Sequence, residues 1–138
     1  MVLVIDTATE KAFIGLWDKV WVTKDSFVGG RNLNKIIIQK LKYVFDKLQD
    51  NTDDKPISGV IVSAGPGSFT GLRIGISVAN TIAYTYDIPI TGVTDETDVE
   101  KLLQKGKSVL ESRGAPFEGV VVPHYGAEPH ITQPKQKG

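Results

Sequence analysis

Apolar and polar positions along this chain fall into two rhythms. Met1 to Asp6 is an unbroken apolar run ending in a carboxylate, which predicts a strand covered on both faces. Thr7 to Lys11 is polar and turns the chain. Ala12–Trp17 and Val20–Thr23 read as two strands joined at Asp18-Lys19, a β-hairpin, and Asp25 to Asn32 reads as a loop marked by Gly29-Gly30. The rhythm then changes. From Asn32 to Gln49, residues Leu33, Ile37, Leu41, Val44, Phe45 and Leu48 recur at three- and four-residue steps, the spacing of one helical face. Ile36 and Tyr43 lie off that stripe and extend a second apolar edge.

After a charged linker, Asp50 to Pro56, the run Ile57 to Ser63 predicts a buried strand rich in Val and Ile. Gly65-Pro66-Gly67 breaks it. Ser68 suits a helix N-cap, its hydroxyl accepting from free backbone N–H groups, and a helical pattern follows from Phe69 to about Tyr86. In that helix Gly71, Gly75, Ala79 and Ala83 form a stripe of minimal side chains. Leu72, Ile76, Ile74, Val78 and Ile82 flank it, and Asn80, Thr81 and Thr85 are the polar relief. Such a helix is expected to be covered on two sides. Ile88 to Val93 predicts a fifth strand. Thr94 or Asp95 can cap a third helix from about Glu96 to Leu110, which Gly106 weakens by up to about 1 kcal/mol relative to alanine. Phe117 to Val122 reads as a short strand, and the tail from Pro123 as extended or partly disordered.

Three strands, a helix, a strand, a helix, a strand and a helix give an α/β fold. Its mixed five-stranded sheet combines a hairpin edge with parallel βαβ units. The division is a lobe over residues 1–112 and an extension over 113–138. The 138 residues suffice for one core. Acidic and basic residues balance at sixteen each, so nothing argues for a basic nucleic-acid face. The absence of cysteine excludes disulfides, thiolate metal sites and a cysteine nucleophile. No apolar run reaches membrane-spanning length and no signal-peptide pattern opens the chain, so a cytoplasmic location is expected.

The chemistry-bearing residues admit more than one reading. The glycine turn with Gly67 and Ser68 leads into a helix N-terminus, where free N–H groups favour anions. Arg73 sits early in that helix, where the dipole disfavours a cation, so it is expected to have a specific partner: an anion, a carboxylate or a set of carbonyls. The simpler reading is a tight turn whose glycines let strand and helix pack closely. Asp6, with Thr7 and Thr9, suits either a metal–phosphate site or a strand-end cap through side-chain to backbone bonds. His124 and His130 are six residues apart in the tail and do not supply a tetrahedral zinc site. Trp17 and Trp21 read as packing residues of the hairpin.

Gly65-Pro66-Gly67-Ser68-Phe69-Thr70-Gly71-Leu72-Arg73-Ile74-Gly75 resembles the signature of the TsaB family of tRNA threonylcarbamoyladenosine biosynthesis proteins, also described as glycoprotease-like. Val4-Ile5-Asp6-Thr7-Ala8-Thr9-Glu10 resembles the family's opening, and Ile88-Pro89 with Gly92-Val93 its fifth strand. The match runs to about residue 103, after which family members continue into a second lobe. The tail segments Pro123-His124-Tyr125 and Pro129-His130-Ile131-Thr132 resemble the family's closing Pro-x-Tyr.

The resemblance implies a single lobe of the actin/Hsp70/sugar-kinase (ASKHA) type. It also implies a non-catalytic subunit that binds and stabilises the catalytic partner TsaD, in a pathway that uses the ATPase TsaE. ATP, magnesium and the catalytic metal are then expected on the partners, none on this chain by itself, and tRNA is met only through the complex. Pairing is implied through the first two helices, with Ile36, Tyr43, Gly71, Leu72, Gly75, Ile76, Ala79 and Ala83 as the expected interface and a homodimer as the self-paired form. TsaD carries His-x-x-x-His on its first helix, and the corresponding helix here has no histidine. The alternative is a stand-alone nucleotide- or phosphate-binding enzyme using Asp6, the Gly65–Gly71 turn and Arg73. Phosphoryl transfer in this architecture needs two lobes closing on the nucleotide, and this chain has length for one.

Overall fold

The computed structural model describes residues 1–50, 57–113 and 119–125. Strands β1 (Val2–Asp6), β2 (Lys11–Asp18) and β3 (Val20–Val28) form an antiparallel meander. A single 3₁₀ turn, Gly30–Asn32, leads into helix α1 (Leu33–Asp50). Strand β4 (Gly59–Gly65), helix α2 (Phe69–Tyr86), strand β5 (Ile90–Thr94) and helix α3 (Val99–Arg113) follow. The sheet order is β3-β2-β1-β4-β5, with β1/β4 and β4/β5 parallel.

Side-chain alternation along each strand separates two cores. Leu3, Ile5, Ile14, Leu16, Val60 and Val62 face α1 and α2, where Ile37, Leu41, Val44, Leu72, Ile76 and Ala79 meet them. Val4, Phe13 and Ile61 face α3 through Leu102 and Leu103. The central strands are covered on both sides, which is why β1 and β4 read as continuous apolar runs. Gly106 has a packing role: a Cβ there would lie 2.5 Å from the Ile61 side chain. The cost to α3 is offset by close contact with the sheet.

Three expectations are corrected. β3 continues to Val28, four residues into the stretch read as loop. It is an edge strand with alternate residues in solvent, so its polar positions hide the apolar alternation. Phe27 still packs on the core, and Asp25 pairs with Lys40 of α1 at 2.5 Å. Second, α3 begins at Val99 rather than Glu96, because Asp98, not Thr94 or Asp95, caps it by accepting from the Glu100 N–H at 2.9 Å. Third, residues 119–122 form no strand; Phe117 of that expected strand lies outside the described residues. The pairing of β2 with β3 skips Val22, and this bulge turns Trp21 toward α3. There Trp21 meets Phe13 edge-on at 5.4 Å and donates to Glu100, while Lys107 lies 3.8 Å over the Trp17 ring. Both tryptophans are packing residues.

Residues 119–125, assigned by sequence to the extension, lie on the lobe. The Asn80 amide grips Val121 on both backbone groups, donating to its carbonyl and accepting from its N–H at 2.9 Å each. The His124 N–H donates to the Ala64 carbonyl at 2.7 Å, and Tyr125 stacks on Phe69 with ring centroids 4.9 Å apart. Val121 of this strap lies against Gly92 of β5, where a Cβ would come within 2.6 Å of its side chain.

Candidate functional site

The signature turn is built around the β1–β2 connection. Gly65 has φ +109°, a conformation that favours glycine, and the Gly65–Pro66 bond is cis. Ser68 caps α2: its hydroxyl accepts from the Gly71 N–H at 3.2 Å, and its own N–H donates to the Ala8 carbonyl at 2.8 Å. The Thr7 hydroxyl donates to the Gly71 carbonyl at 2.5 Å. A Cβ on Gly67 would sit 2.2 Å from the Ala8 oxygen, on Gly71 2.3 Å from the Thr7 oxygen, and on Gly75 2.0 Å from the Thr7 hydroxyl. Thr7 and Ala8 therefore occupy the space that side chains on Gly67, Gly71 and Gly75 would need. Close strand–helix packing is the reading the geometry supports for Gly67, Gly71 and Ser68.

Asp6 ends β1 and is 7% exposed. One carboxylate oxygen accepts from the Ala8 N–H at 2.9 Å, the strand-end cap the sequence allows. Burial pushes its carboxyl above the ordinary range, and the Ala8 bond opposes this only in part. Asp6 lines a cleft of about 460 Å³ with Thr9, Lys11, Ser26, Pro66, Asp95 and Glu96. The cleft lies at the carboxyl ends of β1, β4 and β5, the position where open α/β sheets take ligands. Glu96 pairs with Lys105 at 2.9 Å, and that bond holds its carboxyl below the ordinary range.

Arg73 lies elsewhere. It lines a groove between α1 and α2 with Arg31, Asn34, Ile38, Ile74 and Val78, and its guanidinium sits 5.4 Å over the Phe69 ring. The aromatic face is a partner outside the three classes expected for it. Asp6 and Arg73 line different depressions and do not converge on one ligand.

The expected interface is corrected most. Gly71, Leu72, Gly75, Ile76, Ala79 and Ala83 are buried within the lobe itself, against the sheet and Thr7. A helix apolar nearly all round has no sequence signal for which side meets its own sheet. The outer surface of the two helices instead carries Ile38, 57% exposed, with half-buried Ile74 and Val78; Ile36 is half-buried and Tyr43 is exposed. Sequence reading missed Ile38 because it stands between two core residues, Ile37 and Leu41. His124 is exposed and joins the strap by its backbone, and His130 lies outside the described residues. Among the described residues no group of three or more His, Asp or Glu is placed to hold a metal. No helix among them is long and apolar enough to cross a membrane.

A five-stranded mixed sheet with two helices on one face and a third on the other defines an α/β protein, the arrangement expected of an ASKHA-type lobe. The model of the TsaD family, tRNA N6-adenosine threonylcarbamoyltransferase, matches residues 28–99, and the chain belongs to that family. The curated relatives it resembles are TsaB proteins. The tRNA threonylcarbamoyladenosine biosynthesis protein TsaB of Bacillus subtilis is 35% identical over 71 residues, covering 51% of this chain and 26% of the relative. TsaB of Escherichia coli is 32% identical over 93 residues, covering 67% and 39%. The solved structure of YeaZ from Pseudomonas aeruginosa superposes with a TM-score of 0.59 at 24% identity, covering 68% of this chain and 43% of that one. The chain thus spans less than half the length of these relatives.

Proposed function

We propose that this chain is a non-catalytic partner subunit for threonylcarbamoyladenosine modification of tRNA, binding and stabilising a TsaD subunit that carries the metal and the chemistry. TsaE and its ATP belong to the same assembly, and tRNA is met through the complex. The observation that carries the reading is the outer face of α1 and α2. Ile38, Ile74 and Val78 leave an apolar groove between two arginines, Arg31 and Arg73, on the helices through which TsaB-like proteins are expected to pair. Monomers seldom leave such a face uncovered, and two helices from a partner complete a four-helix contact. Its residues replace the buried stripe first expected. The signature turn, packed by its glycines against Thr7 and Ala8, supports a structural rather than a phosphate-binding role.

Ile38→Glu tests this. Ile38 is already more than half exposed, so the variant is expected to keep its melting behaviour within about 0.5 kcal/mol of the parent. Pull-down with TsaD is expected to weaken at least about tenfold, or 1.4 kcal/mol. Retained affinity in the folded variant would place the interface elsewhere.

A further inference from the structure

The cleft at the carboxyl ends of β1, β4 and β5 has no part in the proposed partner contact. Its chemistry is set by Asp6. One oxygen of this buried carboxylate is satisfied by Ala8, and among the described residues the other has no hydrogen-bond partner or bonded cation. A buried carboxylate left half-satisfied is unfavourable unless a donor or a positive charge reaches it. The other charged groups of the lining are Asp95, Lys11 and Glu96, the last already paired with Lys105, which leaves two carboxylates, Asp6 and Asp95, against one ammonium.

That balance disfavours a phosphate or a nucleotide and favours a cation. A metal ion needs several converging ligands, and the described residues offer no such group. A guanidinium binds best through two oxygens of one carboxylate, and here one of the pair is committed to Ala8. A compact ammonium needs a single oxygen. At about 460 Å³ the cleft is within the range of small-molecule sites. We propose that it binds a primary-ammonium ligand, whose charge is held by the free oxygen of Asp6, with Asp95 also in the lining.

The test is calorimetric titration of the full chain at constant ionic strength with 1,4-diaminobutane, with N-acetyl-lysinamide and with 1,4-butanediol. Saturable binding of an ammonium compound, with none for the diol, is expected. The diamine and the lysine analogue separate a free amine from a lysine side chain as the source. Asp6→Asn keeps an acceptor for Ala8 and removes the charge, and is expected to weaken ammonium binding at least tenfold. Thr97→Lys, at an exposed position of the lining, places a tethered ammonium in the cleft and is expected to abolish binding even if Asp6→Asn fails to fold. Equal binding of diol and diamine, parental affinity in both variants, or tighter binding of magnesium–ATP at this cleft would overturn the proposal. None of these readouts involves TsaD, so failure here leaves the partner role standing, and the reverse.

Discussion

Single residues carry the junction between β1 and α2. At Gly71 the obstacle to a side chain is the backbone oxygen of Thr7, which cannot swing aside as a flexible side chain would. Gly71→Ala is expected to destabilise the lobe by about 1–3 kcal/mol through overpacking, measured by urea denaturation. Asp6 makes a separate prediction. Its folded carboxyl titrates above its ordinary value of 3.8. Between those two values the folded state holds more protons than the unfolded chain, so stability is highest at low pH and declines as pH rises through the folded value. Lys11, Asp95 and Glu96 face the same cleft. In Asp6→Asn this component disappears, and at pH 7 the variant is expected to be at least as stable as the parent. Thermal melts across pH 4 to 8 check the sign.

At the scale of elements, the two ends of α2 were legible and its orientation was not. Ser68 and the chain reversal at Asp87, which has φ 53°, mark boundaries that local chemistry dictates. The side turned to the sheet depends on where Thr7 and β4 lie, a long-range fact without a local signature. Ala79 illustrates the consequence. At an interface position arginine would break association and leave the lobe folded; at this fully buried one it would disrupt the lobe itself. The Asn80 clamp was equally hidden, because its partner Val121 is 41 residues away. Asn80→Ala removes both of its bonds and is expected to cost about 1–2 kcal/mol. Proteolysis within residues 119–125 is expected to accelerate in step, whereas unchanged cleavage would mean that the strap is held by its other contacts.

For the molecule as a whole, composition and element order led to the correct sheet, because alternation sorts residues onto two faces and βαβ connections admit few topologies. The candidate site was legible only as residue types. Asp6 and Arg73 are natural partners in a sequence, yet they line separate depressions. The strand that organises the sheet precedes both of its partners in the chain, and this bears on how the sheet is assembled. β1 can pair with β2 as soon as Asp18 has been synthesised, but its parallel neighbour arrives only with Gly59. Closing that long loop delays the central pairing, since distant contacts cost more entropy before they reward it. On a translating ribosome the meander would thus exist as a three-stranded ribbon before β4 docks along its open side. Pulse-labelled hydrogen exchange during refolding is expected to protect Ile14 and Leu16 amides before those of Ile61 and Val62. Simultaneous protection would mean that the sheet condenses in one step, with no ribbon preceding it.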